Sequence, residues 1–206
     1  MDQVVITIAR QYGSGGRTVG KMLAKRLDIP CYDREIISLA SEESGIHPTL
    51  FQDEKKKHGS LRAFLTGGFK NASPLSPESA GFTKDDNLFR YQAKIIRGLA
   101  DEESCVIIGR CADYILRKNP ALVRVFVLGD TEAKIKRTAE REGISEDKAK
   151  IRMEQADKRR KYFHNTHSEN KWGDSRSYDI TVNSSKLGLD CTAELLIKYI
   201  ELRNAE

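Results

Sequence analysis

The sequence contains no apolar run close to the ~20 residues that a membrane-spanning helix needs. Its N-terminus also lacks the charged segment, apolar stretch and cleavage site of a secretory signal. Its four cysteines include no C-x-x-C pair, which disfavours a disulfide framework and a cysteine metal site. Cys31 and Cys105 lie in apolar, strand-like runs, so we expect buried free thiols in a reducing cytoplasm. These absences exclude a membrane protein, a fibre and a disulfide-stapled mini-protein.

The length and composition fit one globular domain that carries insertions. The 206 residues can bury a substantial core, and 39% hydrophobic with 32% charged residues is polar without being typical of disorder. The net charge is +5, and all of this excess lies in residues 134–161, where eleven Lys or Arg face six Asp or Glu. This basic stretch is either a solvated helical face or a binding site for a polyanion.

Short apolar runs and helical periodicity alternate along the chain. Strands are predicted near residues 4–8, 30–32, 104–108, 123–128 and 178–182. Helices are predicted near residues 19–27, 34–44, 110–117, 131–141, 145–163 and 189–202. Continuous apolar strands that alternate with amphipathic helices indicate an α/β fold whose parallel sheet is covered on both faces.

Two segments break this alternation. Residues 38–103 contain no clear strand and are predicted to be a helical insertion that includes a mobile loop at 71–86. Residues 164–177 form a second irregular, polar segment before the last strand. Its two histidines, His164 and His167, have no cysteine or third ligand nearby in the sequence, so a solvated loop is expected rather than a metal site.

A glycine-rich turn follows the first strand. Its eight residues, Gln11–Thr18, align with the phosphate-loop consensus G-x-x-x-x-G-K-[ST], except that Gln11 replaces the first glycine and Arg17 replaces the lysine. The glycines allow the close backbone approach that wrapping a phosphate requires, Arg17 keeps the charge, and Thr18 keeps the hydroxyl. The alternative is a turn that only lets a helix pack on a strand. Its place between the first strand and a basic helix favours phosphate binding.

Three motifs in order resemble one known family. The sequences VITIARQYGSGGRTVGK-x-LA, IPCYDREII and VIIGRCADYIL are similar to the cytidylate-kinase-like family of P-loop nucleoside-monophosphate kinases. The resemblance implies a single P-loop NTPase domain over residues 1–206, a three-layer α/β sandwich with a five-stranded parallel sheet that uses ATP and Mg²⁺. The implied core, acceptor-binding insertion and arginine-rich lid lie at about residues 1–37 with 104–142 and 175–206, 38–103, and 143–174, respectively.

The resemblance also implies roles for particular residues. The nucleotide would be held by Gly13, Ser14, Gly15, Gly16, Arg17, Thr18, Arg137 and Asn183. The catalytic residues would be Arg17, Asp33, Arg152 and Arg160. The acceptor would be bound by Arg34, Glu35 and Arg110. Arg97 is a further candidate from its spacing alone, because it lies seven residues after Arg90 on one predicted helix face of the insertion. Mg²⁺ would be held by Thr18 and Asp33. For Glu35 a helix N-terminal dipole partner is the alternative, and for each arginine a solvated surface residue is the alternative.

One position departs from the family pattern. Related cytidylate kinases carry D-G-R after the third strand, with the aspartate as a partner of the metal or the acceptor. This chain has Ile108-Gly109-Arg110 there. Asp33 or Asp113 could take the place of the missing carboxylate.

The leading hypothesis is ATP-dependent phosphoryl transfer to a nucleoside monophosphate, CMP or dCMP, by a cytoplasmic monomer or homodimer. One alternative is a related P-loop kinase with a non-nucleotide acceptor, because the resemblance is weakest within the insertion. Another is a regulatory nucleotide-binding protein with little turnover, which Ile108 and Arg17 favour. A nucleic-acid binder is disfavoured, because the basic stretch has no aromatic residue before Tyr162 and Phe163.

Overall fold

The computed structural model describes residues 3–52, 73–77, 79, 81 and 83–205. Its strands are β1 (Val5–Arg10), β2 (Cys31–Tyr32), β3 (Cys105–Ile108), β4 (Leu122–Leu128) and β5 (Ile180–Asn183). Its helices are α1 (Gly16–Leu27), α2 (Glu35–Ser44), α3 (Pro48–Gln52), α4 (Asp85–Glu102), α5 (Ala112–Ile115), α6 (Thr131–Glu142), α7 (Glu146–His167) and α8 (Ser184–Arg203).

The five strands form one parallel sheet in the order β2-β3-β1-β4-β5. The central strand β1 pairs on both sides, so that Ile8 lies opposite Ile108 of β3 and Val125 of β4. After β1, the chain first forms β2 and β3 on one side of β1. It later forms β4 and β5 on the other side. In open α/β sheets such a switch in direction opens a crevice at the carboxyl ends of the strands. The fold therefore places a ligand site beyond the end of β1.

Side chains of the central strands alternate between two buried layers. Ile6 and Ile8 pack with Leu23 of α1 and Leu196 of α8 on one face. On the other face, Val5 packs with residues of α2 and α4. Burying each such side chain contributes about 1.5–3 kcal/mol to the stability of the fold. Because both faces of the sheet are buried, the strands are continuous apolar runs in the sequence. The predicted three-layer α/β fold with a five-stranded parallel sheet is confirmed.

The turn after β3 differs from the sequence prediction. A helix was expected over 110–117, whereas α5 covers Ala112–Ile115. Gly109, Arg110 and Cys111 have φ values of 75°, 55° and 57°, in the left-handed region. Three successive residues of that kind cannot continue a right-handed helix, so the helix begins only after them.

Helix α7 is longer than predicted. The prediction of an irregular segment at 164–177 is wrong for its first four residues, which belong to this helix. The helix continues to His167 because its last turn is anchored by tertiary contacts. His164 bonds to Asp113, and the ring of His167 stacks on Phe89 with centroids 4.2 Å apart. At the other end of α7, the Ser145 hydroxyl accepts a hydrogen bond from the Lys148 amide at 3.4 Å and caps the helix.

The described part of the insertion at 38–103 contains the end of α2, then α3 and α4, whereas residues 73–77, 79, 81, 83 and 84 are not helical. The loop predicted at 71–86 lies partly outside the described residues, and its last two residues already belong to α4. Of the cysteines, Cys105 and Cys111 are buried, Cys31 is half-buried on the edge strand β2, and Cys191 is exposed. The prediction of a buried thiol is therefore confirmed for Cys105 and wrong for Cys31. Across the described part of the chain, every helix is too short or too polar to cross a bilayer.

A substitution at Ile108 tests whether the end of β3 could carry the aspartate that related cytidylate kinases have at this position. Its side chain is 1% exposed, and it belongs to the same cluster as Ile8 and Leu23. We predict that Ile108→Asp lowers the free energy of unfolding by about 3 kcal/mol or more, because a carboxylate there would be buried without a partner. Urea unfolding measures this loss. Ile108→Val is the matched control and should cost about 0.5–1.5 kcal/mol. Equal stability of the two variants would contradict the burial of this position.

Candidate active site

The loop between β1 and α1 has the backbone shape of an anion cradle. Gly13 and Gly15 have φ values of 75° and 76°, and Gly15 caps the N-terminus of α1. The first amides of a helix have no partner within the helix and carry its positive dipole end. The loop therefore leads into a helix N-terminus, whose backbone N–H groups and partial positive charge suit the binding of a phosphate.

Helix α6 holds this loop from one side. A Cβ atom on Gly13 would lie 2.7 Å from Thr138 Oγ1 and 2.8 Å from the Lys134 carbonyl oxygen, so no larger residue fits. The Arg137 guanidinium donates a hydrogen bond to the Gly13 carbonyl at 2.8 Å. The buried Lys134 ammonium donates to Gln11 Oε1 at 2.9 Å. Gln11, which replaces the first consensus glycine, thus uses its side chain to fasten the loop to α6.

Helix α8 holds the loop from the other side. Ser14 is fully buried, and its hydroxyl donates to the Gln11 carbonyl at 2.8 Å. The Ser184 hydroxyl, in the first turn of α8, donates to the Ser14 carbonyl at 2.5 Å. Asn183 caps α8 by accepting from the Ser185 amide at 3.0 Å, and its amide nitrogen donates to Asp130 at 2.8 Å. These bonds fix Ser14 within the loop and Asn183 at the start of α8.

A charged pair links the loop to the end of β2. Arg17 Nε lies 2.7 Å from Asp33 Oδ2, and the Asp33 amide donates to Glu35 Oε2 at 2.9 Å. Hydrogen bonds from its own amide and from that of Asp33 lower the pKa of Glu35. Glu35 thus acts at the N-terminus of α2, as its alternative interpretation held. The exposed Thr18 hydroxyl and the Asp33 carboxylate at the loop edge are hard oxygen donors of the kind that Mg²⁺ prefers.

A cavity of about 240 Å³ opens beside the loop. Its walls come from the end of β1, the turn after β3 and the inner face of α7. Four arginines line it: Arg10, Arg110, Arg159 and Arg160. Asp33 and Asp113 also line it. Guanidinium groups that converge on one space bind phosphate or carboxylate groups through paired hydrogen bonds.

The position of Arg160 is set by two oxygen acceptors. Its Nη1 donates to the Arg10 carbonyl at 3.1 Å and lies 3.2 Å from Asp157 Oδ1. Asp157 Oδ1 also accepts from the Tyr12 amide at 2.7 Å. Burial raises the pKa of Asp157, and the hydrogen bond from Tyr12 opposes this rise. Arg160 is therefore fixed to the backbone that leads into the phosphate loop.

The strained turn after β3 shapes the opposite wall. The guanidinium of Arg10 occupies the space beside Gly109, since a Cβ on Gly109 would lie 2.1 Å from Arg10 Nη1. Arg110 and Cys111 are in the left-handed region, which side chains other than glycine rarely adopt. Strain of this kind is concentrated at binding and catalytic sites, where it positions side chains.

Glu142, at the end of α6, contacts charged groups of α6 and α7. Its carboxylate accepts from the Tyr12 hydroxyl at 2.5 Å and pairs with Arg141 at 2.5 Å and with Arg152. The hydrogen bond from Tyr12, followed by those from the two arginines, lowers the pKa of Glu142 to about 2. Arg152 is thus held at the rim by Glu142, whereas Lys158 is exposed.

The structure brings together part of the residue set that the sequence predicted. Arg17, Asp33, Arg110 and Arg160 meet around the loop and the cavity, beside Gly13, Ser14, Gly15, Gly16, Thr18 and Arg137. Arg34, Arg97 and Arg152 lie outside the lining of this cavity among the described residues. Arg34 is exposed at the N-terminus of α2. Arg97 is half-buried, and burial and the charge of Arg117 lower its pKa.

Sequence reasoning missed Arg10, Arg159 and His164 as residues of the cavity. Arg10 stands directly before the phosphate loop, at the end of a strand that ends in the site, and that position was a usable signal. Arg159 adjoins Arg160 within the basic stretch. His164 lies one helical turn further along α7, four residues after Arg160.

Comparisons with known proteins identify relatives of this chain. Residues 5–186 match the model of the cytidylate kinase-like family. The solved structure of an uncharacterized protein from Eubacterium ventriosum ATCC 27560 is 36% identical, with a TM-score of 0.72 over 97% of this chain and 99% of that chain. Shikimate kinase from Acinetobacter baumannii in complex with shikimate is 13% identical, with a TM-score of 0.55 over 100% of this chain and 97% of that chain.

A second shikimate kinase, from Bacteroides thetaiotaomicron, is 14% identical, with a TM-score of 0.54 over 96% of this chain and 98% of that chain. At this level of identity the two shikimate kinases show a shared fold. No match to this chain was found among curated proteins.

The contact between the loop and α6 can be tested at Gly13. We predict that Gly13→Ala destabilises the chain by at least about 1 kcal/mol more than Gly45→Ala does, as measured by urea unfolding. Both glycines have positive φ, so both variants lose about 1–2 kcal/mol to backbone strain. A Cβ at Gly13 also meets Thr138 and Lys134, whereas a Cβ at Gly45 has nothing within 4 Å. Equal losses would show that the loop is not pressed against α6.

Glu142 predicts a pH dependence of stability. Its pKa is lowered from 4.5 to about 2, so its ionised form stabilises the folded chain above about pH 4.5 and loses that effect as pH falls towards 2. Glu142→Gln should therefore lower the free energy of unfolding by about 1 kcal/mol at pH 7, and the difference from the parent chain should shrink below pH 4.5. The exposed Glu154→Gln variant is the control. A difference that is constant from pH 7 to pH 3 would be inconsistent with the ion pairs.

Proposed function

Because the chain belongs to the cytidylate kinase-like family, we propose that it transfers the γ-phosphoryl group of ATP to a nucleoside monophosphate, CMP or dCMP, with Mg²⁺ as the metal. The products are ADP and the nucleoside diphosphate. The observation that carries this proposal is the arginine-lined cavity that shares a wall with the phosphate loop.

The two parts of the site are joined at the backbone. Arg10 and Tyr12 line the cavity, and the chain between them leads directly into the phosphate loop. Asp33 lines the same cavity and pairs with Arg17 of the loop. A donor phosphate on the loop and an acceptor in the cavity would therefore be neighbours. Phosphoryl transfer depends mainly on such positioning and on cations around the transferred group.

The charges of the cavity favour an acceptor that carries a phosphate. A monophosphate presents an ionised oxygen for the transfer. Four arginines provide the donors that a phosphate requires. This supports a nucleoside monophosphate as the acceptor.

The donor side of the site suits ATP with Mg²⁺. The loop amides and Arg17 would hold the phosphates, while Thr18 and Asp33 would hold the metal. When bound, Mg²⁺ neutralises charge on the phosphate oxygens. Ile108 is buried in the sheet and supplies no metal ligand. Of the two carboxylates considered as replacements, Asp33 is the one that lies beside the loop.

A regulatory nucleotide-binding protein with little turnover is the second candidate, and the buried Ile108 favours it. A kinase with a non-nucleotide acceptor is the third. ADP release from Mg-ATP separates them when measured with CMP, dCMP, UMP, AMP, GMP, shikimate and no acceptor. Turnover with CMP or dCMP above the no-acceptor rate supports the proposal. Turnover with shikimate alone, or ATP binding without turnover, overturns it in favour of the corresponding alternative.

Arg160 tests the acceptor side of the site. We predict that Arg160→Ala lowers kcat/KM for the acceptor by about 100-fold or more, because it removes a fixed cation that faces the phosphates. The same steady-state assay with Arg176→Ala is the control. Arg176 is 85% exposed and pairs with Asp174 at 2.6 Å, away from the cavity lining. Similar kcat/KM values for the two variants would show that Arg160 does not contribute to the acceptor site.

A further inference from the structure

Three buried side chains of different chemistry meet at one wall of the cavity. Cys111, Asp113 and His164 are 3%, 4% and 3% exposed, and one donor atom from each lies within 4.8 Å of the other two. Cys111 and Asp113 come from the turn after β3 and the start of α5, and His164 comes from the end of α7. All three line the cavity. The fold has thus brought thiol, carboxylate and imidazole groups together from distant parts of the chain.

The hydrogen bonding of His164 is incomplete. Its Nε2 lies 2.8 Å from Asp113 Oδ2. Its Nδ1 is also buried, and among the described residues it has no hydrogen-bond partner. A buried imidazole nitrogen without a hydrogen-bond partner lowers the stability of the folded chain by about 1–3 kcal/mol. A ligand, or a rearrangement of the ring's hydrogen bonds, would remove this cost. A buried histidine in this condition points to a ligand.

We propose that Cys111, Asp113 and His164 bind one Zn²⁺ ion. Thiolate, imidazole and carboxylate are the ligands that zinc prefers, whereas Mg²⁺ and Ca²⁺ prefer oxygen donors alone. Bonds of about 2.0–2.3 Å in a tetrahedron separate the ligand atoms by about 3.3–3.8 Å. One donor atom of each of the three residues already lies within 4.8 Å of the other two. Small side-chain rotations are therefore enough to form the site.

The ligands themselves supply the negative charge that a divalent cation needs inside a cavity lined by arginines. The Cys111 thiolate and the Asp113 carboxylate together carry two negative charges, which offset those of the ion. Binding releases the thiol proton to solvent. The three protein ligands leave a fourth position, which faces the cavity that they line.

The second histidine of this segment is not part of the site. His167 Nδ1 donates to the Phe163 carbonyl at 2.9 Å, and its ring stacks on Phe89. The expected solvated loop is wrong for His164, which is buried in α7 beside Asp113. Its partner Asp113 is 51 residues away in the sequence and only comes close in the fold.

Metal analysis and cobalt substitution of the full chain test the proposal without ATP or acceptor. After purification without chelators, elemental analysis should find about one zinc per chain. After the metal is stripped, Co²⁺ should produce a thiolate-to-cobalt charge-transfer band in the near ultraviolet, and Zn²⁺ should displace it. Absence of both signals from the folded parent chain overturns the proposal.

Variants assign the ligands. Cys111→Ser should abolish the charge-transfer band, and His164→Gln should weaken Co²⁺ binding by at least about tenfold. Cys191→Ser changes an exposed cysteine on α8 and is the matched control, which should retain both. Circular dichroism checks that each variant is folded. A band that survives in Cys111→Ser, or that is lost in Cys191→Ser, overturns the assignment. If Cys111→Ser fails to fold, His164→Gln and the parent spectrum decide.

Discussion

The tight contact between the loop after β1 and helix α6 is the constraint on which the rest of the site depends. A glycine at position 13 lets the loop backbone lie against Lys134 and Thr138, and Gln11 and Arg137 fasten it there. These contacts therefore fix the backbone of the loop at the carboxyl edge of the sheet. Such preorganisation is what makes a phosphate site effective, because the cost of ordering the donors is met during folding.

Three arginines around this loop are each held by a carboxylate of the protein. Arg17 pairs with Asp33, Arg160 with Asp157 and Arg152 with Glu142. Partly exposed ion pairs contribute about 0–1 kcal/mol each, so an incoming phosphate with two negative charges can compete for the arginines. The carboxylates keep the guanidinium groups in place and reduce their mutual repulsion before the substrate binds. From the sequence alone, the basic stretch could have been a solvated helical face. In the structure, part of its positive charge lies at the carboxyl edge of the sheet.

The parts of the fold that could be predicted are those with a local cause. The apolar run of β1 and the periodicity of α1 follow from residues that are neighbours in the sequence, and so does the glycine-rich loop between them. The cavity could not be predicted in this way, since Arg160 contacts Arg10 from 150 residues away. Helical spacing could place Arg97 on a face of α4 but could not show which neighbour that face meets. The left-handed turn at Arg110 and Cys111 has no local sequence signal, because it is maintained by the packing around it.

Phosphorus NMR of the full chain with Mg-ATP and CMP is the most direct test of the central claim, that this cavity holds the acceptor of a phosphoryl transfer. The account predicts that the resonances of ADP and CDP grow together in equal amounts, and that Arg160→Ala slows both. Conversion of ATP into ADP and inorganic phosphate, with CMP unchanged, would contradict it. So would an unchanged ATP spectrum in the presence of both CMP and dCMP.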